Sequence, residues 1–141
     1  MTRRLLVVAN ETVASETLRD AIGTLAGGGT GVLVIAPALN TRLGHWAGDD
    51  RRARRHAAER LTFCLDALAA AGIDAEGFVA DADPLLAIED ALRVYDADRI
   101  LISTHPDWHS NWLARGIVER ARERFAQPVE HVVAERRRAA A

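Results

Sequence analysis

Residues 5–9 read LLVVA, an uninterrupted apolar run near the start of the chain. A strand that is covered on both faces shows such a run, because neither face meets water. Further strand candidates follow at intervals long enough to hold a helix: Val32–Ala36 (VLVIA), Ala75–Val79 (AEGFV), Arg99–Ser103 (RILIS) and Val129–Val133 (VEHVV). The sequence therefore predicts five strands separated by four connecting segments.

The connecting segments carry apolar residues at helical spacing. The predicted helices run from about Val13 to Leu25, from about Asp49 to Ala71, from Pro84 behind the N-cap Asp83, and along Leu113, Ile117, Ala121 and Phe125, which are four residues apart. Glycines 27–29 and Gly72 stop the first two. Strands that alternate with helices form right-handed βαβ units, so we expect an α/β domain with a parallel sheet and helices on both faces.

Length and composition are those of one ordinary globular domain, with 141 residues of which 49% are hydrophobic and 27% charged. We expect the domain to span residues 1–134 and the tail 135–141 (ERRRAAA) to be disordered. The net charge of −2 gives no reason to expect a nucleic acid partner. Cys64 is the only cysteine, and no apolar run is long enough for a signal peptide or a membrane span. A cytoplasmic protein without membrane contact is expected.

Residues 49–56 (DDRRARRH) are the densest run of charge in the chain. A nucleic-acid patch would explain the arginines, since helical spacing brings several of them together. The acidic net charge and the lack of aromatic residues within the run favour the other interpretation, which is a solvated start of the second helix.

Five short motifs, in the right order, resemble those of the universal stress protein family. They are Ala9–Ser15 (V-D-G-S-x-x-S in the family), Ala71–Ile73 (A-G-V), Ala82–Pro84 (G-D-P), Asp96–Thr104 (D-A-D-L-I-V-V-G-S), and Val118–Ala121 with Ala126–Val129 (S-E-R-V and P-C-P-V-x-V-V). The resemblance implies a Rossmann-like three-layer α/β/α sandwich with strand order 3-2-1-4-5. It places a ligand outside the carboxyl ends of strands 1 and 4, where the strand order reverses.

Nucleotide-binding members of that family carry G-x2-G-x9-G-[S/T] after strand 4. The corresponding positions here are Ser103, Pro106 and Gly116, and Ile117 replaces the hydroxyl residue. Proline has no backbone N–H to donate to a phosphate. The apolar spacing of the fourth helix also begins before Gly116, with Ser110 as a plausible N-cap, so the phosphate-binding loop would already be helical. ATP binding in the family manner is therefore not expected.

The tentative site is an anion or nucleotide site at the amino end of the fourth helix, where backbone amides and the helix dipole favour negative charge. It comprises Asn10, Thr12, Ser103, His105, Ser110, Asn111, Arg115 and Gly116. A small phosphate-bearing molecule is the expected ligand class, and no cofactor is required, although ATP or AMP would fit the resemblance. The alternative without a ligand is that Trp108 and Trp112 cap the sheet edge while the polar residues face water.

The resemblance, together with the incomplete glycine motif, implies a non-catalytic binding or regulatory module of the stress response. Two further functions remain open for the same loop. One is an adenine-nucleotide-binding stress protein that uses His105, Ser110 and Arg115 in place of glycines. The other is a small hydrolase, since Ser103, Thr104 and His105 are adjacent, but neighbours along a loop need not meet as a catalytic triad. Whether the chain is an enzyme is left open, and no catalytic residue is assigned.

Two smaller questions concern metal and self-association. His105, Asp107 and His109 could offer ligands to a metal, but Pro106 interrupts them and no further ligand is placed, so no metal site is predicted. Val129–Val133 would end the sheet in the implied strand order and leave an unpaired edge. We expect a twofold homodimer that pairs this strand with its copy.

Overall fold

The computed structural model describes residues 4–9, 16–26, 31–37, 47–80, 83–104 and 111–133. Strands and helices alternate without exception along these ranges. The strands are β1 (Arg4–Ala9), β2 (Gly31–Pro37), β3 (Ala75–Ala80), β4 (Arg99–Thr104) and β5 (Val129–Val133), and the helices are α1 (Glu16–Ala26), α2 (Ala47–Ala70), α3 (Pro84–Val94) and α4 (Asn111–Arg124). All five predicted strands and all four predicted helices are confirmed.

The five strands form one parallel sheet in the order β3-β2-β1-β4-β5. Val7 in the central strand β1 is paired with Val34 of β2 on one side and Leu101 of β4 on the other. The sheet order implied by the resemblance is therefore confirmed, and the fold is Rossmann-like α/β. The strand order reverses between β1 and β4, as in other doubly wound sheets.

Two apolar layers cover the two faces of the sheet, and alternate residues of each strand point into them. One layer joins Leu5, Val7 and Ala9 to Ile22 of α1 and to Ala57, Leu61, Cys64 and Leu68 of α2. The other joins Leu6 and Val8 to Ala87, Ile88 and Ala91 of α3 and to Val118 and Ala121 of α4. The continuous apolar run of β1 thus results from burial on both faces, and the domain is a three-layer sandwich.

Helix α2 lies very close to β3 at Gly77. A Cβ atom added at Gly77 would lie 2.6 Å from Leu61 Cδ1 and 2.6 Å from the carbonyl oxygen of Val34. Both distances are far below van der Waals contact, and the second involves backbone that cannot rotate away. Glycine is thus required here for close approach rather than for its backbone angles.

Helix boundaries agree with the predicted signals where the structure describes them. Asp83 caps α3, since its Oδ1 accepts hydrogen bonds from the amides of Leu85 at 3.0 Å and Leu86 at 3.4 Å, and Pro84 is the first helical residue. Gly72 has φ of 79° just after α2, which confirms it as the stop signal. The described parts of α1 and α2 open at Glu16 and Ala47, directly after residues that the structure does not describe, so their predicted starts stay predictions.

The amino ends of β1 and β4 are closed by a small set of polar contacts. The Arg4 amide donates to Asp98 Oδ2 at 2.8 Å, and the Asp98 amide donates to the Arg4 carbonyl at 2.8 Å. The Arg4 guanidinium lies 5.9 Å from the centre of the Tyr95 ring, a cation–π distance. Burial raises the pKa of the Tyr95 hydroxyl, and Arg4 partly opposes that shift. Gly31, the first residue of β2, lies so close to Tyr95 that an added Cβ atom would be 3.0 Å from the tyrosine hydroxyl. We call Arg4, Gly31, Tyr95 and Asp98 the amino-end closure.

Two predictions about the chain's extent lie outside the described residues, namely the domain boundary at residue 134 and the disordered tail 135–141. Among the helices that the structure describes, none is long and apolar enough to cross a membrane.

Candidate functional site

The candidate site is the carboxyl edge of the sheet around β1 and β4, where the strand order reverses. Ala9, the last residue of β1, is paired with Ser103 of β4, and Ser103 is paired on its other side with Val132 of β5. Chains that leave neighbouring strands in opposite directions leave space between them, and ligands of doubly wound sheets bind in this space. The structure therefore gives Ser103 a central position at this edge.

Small side chains are found near the carboxyl ends of the four strands around this edge, in contrast to the branched residues of the strand centres. They are Ala9, Ala36, Ala80 and Ser103, all of them buried. Buried small residues keep large side chains away from the point where a ligand would approach the strand ends. The sequence contained part of this signal, because three of the five predicted strands end in alanine or serine, but hydrophobic periodicity does not report the size of a side chain at a strand end.

Ser103 is the only polar residue among those found buried in the described part of the chain, with 0% of its surface exposed. Its Oγ has no hydrogen-bond partner among the residues that the structure describes. A buried hydroxyl without a partner costs about 1–3 kcal/mol relative to one that is satisfied. An unsatisfied polar group at a strand end therefore needs a reason that packing alone does not provide.

Helix α4 begins at Asn111 and is regular through Gly116 to Arg124. The predicted helix start near Asn111 is confirmed, and it falls five residues before Gly116. A Cβ atom added at Gly116 would meet nothing within 4 Å among the described residues, so neither their packing nor a positive φ requires a glycine here. Arg122 and Arg124 lie in the last turn, where cations suit the helix dipole.

An arginine from the opposite layer also reaches this edge of the sheet. The Arg60 Nη2 of α2 donates to the carbonyl oxygen of Pro37, the last residue of β2, at 3.4 Å. The contact ties α2 to the carboxyl end of β2. It brings a positive charge to the same edge of the sheet as the candidate site, and no motif around Arg60 signals this position.

The remaining predicted site residues are only partly placed. Four of them lie outside the described residues, namely Asn10, Thr12, His105 and Ser110. The same holds for Asp107 and His109, which the sequence offered as possible metal ligands. Asn111 and Arg115 lie within the first five residues of α4. No cluster of potential metal ligands occurs among the residues that the structure does describe. Of the set, the structure shows the places of Ser103, Asn111, Arg115 and Gly116, and their joint role stays a prediction.

Cys64 lies in the layer beneath α2 and is 2% exposed. Burial raises the pKa of its thiol from 9.0 to about 11. Because the thiolate is the nucleophile, a thiol with this pKa is almost wholly unreactive near neutral pH. The interpretation of Cys64 as a small core residue agrees with this environment.

Three solved structures share this fold. A universal stress protein from Archaeoglobus fulgidus has 18% sequence identity and a TM-score of 0.63, and the match covers 93% of this chain and 98% of that one. A universal stress protein family protein from Arabidopsis thaliana with AMP bound has 11% identity and a TM-score of 0.62, with coverage of 94% and 92%. A universal stress protein in complex with cAMP has 17% identity and a TM-score of 0.54, with coverage of 95% and 98%.

No protein-family model matches the chain, and no curated protein matches its sequence. At identities of 11–18% the likeness to the three structures is one of fold. The chain therefore has the fold of the universal stress proteins over nearly its whole length, as the five motifs implied.

Proposed function

We propose that this chain is a universal-stress-type module, a cytoplasmic binding and regulatory protein whose ligand site is the carboxyl edge of β1 and β4. In this proposal it does not hold a triphosphate through the glycine motif of the family. Support comes from the shared fold, from the five motifs in matching order, and from the small buried residues at the strand ends. Fold alone does not carry function, so the argument depends on the site.

The observation that carries the proposal is the helical state of Gly116. Only the first four amides of an α-helix lack a partner within the helix. Gly116 is the sixth residue of α4, which begins at Asn111, so its amide lies beyond those four. A glycine that serves a phosphate must present its backbone to the ligand, and the helix prevents that here.

What remains at the start of α4 is a smaller anion site. The free amides of the first turn and the positive end of the dipole favour one phosphate-sized group. No acidic residue occupies the first turn to compete with it. A single phosphate or a similar anion thus fits this helix end better than a chain of three phosphates.

The second candidate function is adenine-nucleotide binding with one phosphate. Two of the similar structures hold AMP and cAMP, each of which carries a single phosphate. This observation favours a nucleoside monophosphate over ATP as the ligand to test first. The candidate residues for it are His105, Ser110 and Arg115, as the sequence suggested.

Calorimetric titration with ATP, AMP, cAMP and inorganic phosphate tests both candidates. We expect no measurable ATP heat below millimolar ligand, and binding of AMP, cAMP or phosphate that is at least about tenfold tighter, a difference of about 1.4 kcal/mol. ATP binding at micromolar concentration would contradict the proposal. Absence of any binding up to several millimolar would remove the anion site.

The variant Gly116→Ala separates the two possible states of the helix start. In a preformed helix the new methyl group meets nothing, so the variant should gain about 0.5–1 kcal/mol of unfolding free energy and keep its ligand affinity. If α4 instead unwinds to wrap a phosphate, the alanine will weaken binding. Gly23→Ala in α1, also with no neighbour within 4 Å, is the matched control for helix propensity.

We further propose that the chain forms a twofold dimer through β5. Its support is the position of β5 at the end of the sheet, paired on one side with β4. Sheet edges of this kind are commonly covered or paired. Sedimentation equilibrium at micromolar concentration should give about twice the chain mass of 15.3 kDa, and a purely monomeric species would contradict the dimer.

A further inference from the structure

The outer surface of α2 is strongly polarised in charge. Residues 51–58 contain four arginines (51, 52, 54 and 55) and no acid, Glu59 and Arg60 follow, and the rest of the helix to Ala70 carries one acid, Asp66, and no base. Asp49 and Asp50 precede the arginines and offset them only in part. Helix dipoles favour the opposite arrangement, with acids first and bases last. The helix therefore carries a charge order that does not stabilise it in isolation.

Arg55 and Asp66 show how this polarity is laid out on the surface. Both are exposed, and neither makes an ion pair within the part of the chain that the structure describes. Eleven residues at 100° each bring them within about 20° of the same line along the helix, separated by about 16 Å. They share one face, but they are too far apart to pair with each other.

An exposed aromatic residue lies between these two charges. Phe63 is 64% exposed, which is unusual for a large apolar side chain on a helix that already buries its other face. A shallow depression of about 370 Å³ runs along this face, lined by Arg55, Ala58, Glu59, Thr62, Phe63 and Asp66. All six residues come from α2, so the depression is a property of the helix surface itself.

We propose that this outer face of α2 is a contact site for a second copy of the chain, with the two helices antiparallel about a twofold axis. Placing the axis at the midpoint of Arg55 and Asp66 sets each arginine opposite the aspartate of the other copy. A twofold contact needs a self-complementary patch, and the charge polarity of α2 provides one.

The residues near the axis fit a close approach of two helices. Helical geometry puts Phe63 on one flank of the axis, where its two copies come together, and puts the smaller Ala58 and Thr62 on the other flank. The two Glu59 carboxylates also approach the axis and repel each other, although each has His56 at 3.9 Å within its own helix. This repulsion limits the strength of the contact.

Size and position define what kind of assembly to expect. One face of one helix offers much less than the roughly 800 Å² per partner of a standard interface, so the association is weak and depends on salt. Helix α2 packs on β2 and β3, whereas β5 is at the opposite end of the sheet. The α2 contact is thus independent of pairing through β5 and does not depend on the proposed function.

Charge reversal with sedimentation equilibrium at low ionic strength tests this contact. R55D and D66R should each lower the association constant at least about tenfold, because each variant replaces two attractive pairs by two repulsive ones. An equimolar mixture of R55D and D66R should associate within about threefold of the wild-type constant, since both pairs across a mixed contact are again attractive. F63A should also weaken association.

The control is R120D and E123R, which change the same charges at exposed positions of α4 and should leave association unchanged. If β5 already forms a dimer, the quantity to measure is the association constant for the next step, in which two such dimers associate. The proposal is overturned if the wild type shows no association beyond the β5 species at millimolar concentration, if the α2 and α4 variants behave alike, or if the mixture associates no better than its components.

Discussion

The two ends of the central strands are built in opposite ways. At the amino end, Arg4 and Asp98 exchange backbone and carboxylate hydrogen bonds at 2.8 Å, and Tyr95 fills the space beside Gly31 so closely that a methyl group there would come within 3.0 Å of its hydroxyl. At the carboxyl end, small buried residues lie at or next to the last position of β1, β2, β3 and β4, and the buried Ser103 hydroxyl has no hydrogen-bond partner among the described residues. The amino end holds β1 and β4 together, whereas the carboxyl end contains a buried hydroxyl that makes no hydrogen bond to the described residues.

The difference shows how a small α/β domain can separate stability from binding. Hydrogen bonds and close packing at the amino end hold β1 and β4 side by side, although their residues are far apart in sequence. The carboxyl end can then carry residues that lower the stability of the fold, because contacts at the amino end already fix the pairing of the two strands. Substitutions at the two ends should accordingly change stability in opposite directions.

The largest effect is expected at the amino end, from Asp98→Ala. It removes the carboxylate that accepts the Arg4 amide, and a hydrogen bond to a charged group is worth about 1.5–3 kcal/mol, reduced here to about 1.5 by exposure to water. Urea unfolding of the variant and the wild type measures this loss of unfolding free energy. Asp96→Ala, an exposed aspartate two residues away, should stay within about 0.5 kcal/mol of the wild type. Equal losses of unfolding free energy in both variants would mean that the amino-end closure contributes nothing to stability.

A second effect of about 1 kcal/mol is expected from Gly31→Ala, because the methyl group would crowd the Tyr95 hydroxyl. Tyr95→Phe removes that hydroxyl, which has no hydrogen-bond partner within the described part of the chain. In the phenylalanine background, Gly31→Ala should become neutral or slightly stabilising, since alanine also restricts the unfolded chain. A double-mutant cycle on unfolding free energies measures this coupling. Equal costs in both backgrounds would show that the close approach is not what limits residue 31.

At the carboxyl end the sign should reverse. Ser103→Ala removes an unsatisfied buried hydroxyl and should raise the free energy of unfolding by about 0.5–1 kcal/mol. A destabilised Ser103→Ala would mean that the hydroxyl is satisfied in solution, and the contrast between the two ends would disappear.

Much of the architecture could be predicted because local signals report it. The apolar run of β1 reflects burial on both faces, the sequence Asp83-Pro84 reflects a capped helix start, and the spacing from Leu113 to Phe125 reflects a helix that begins before Gly116. Strand order followed from family resemblance rather than from any of these patterns. Periodicity states which face of a strand is apolar, but it does not state which strands are neighbours.

Contacts between distant residues were not predictable in the same way. The Arg4–Asp98 hydrogen bond spans 94 residues, and nothing near either residue signals it. Ser103 was selected as a site residue because it matches the first glycine of the family motif after strand 4, but its complete burial depends on neighbouring strands and layers that the sequence does not display. Gly77 is a similar case, because Leu61 and the backbone of Val34 lie too close to it for any side chain to fit.

The sealed sulfur atom of Cys64 has a practical consequence for anyone who wants to attach probes to this protein. With a pKa of about 11 and almost no accessible surface, the native thiol should stay silent toward maleimides at neutral pH. A single cysteine introduced on the surface would then carry all of the label. Fluorescence or spin measurements of distances could therefore be made without first deleting the natural residue.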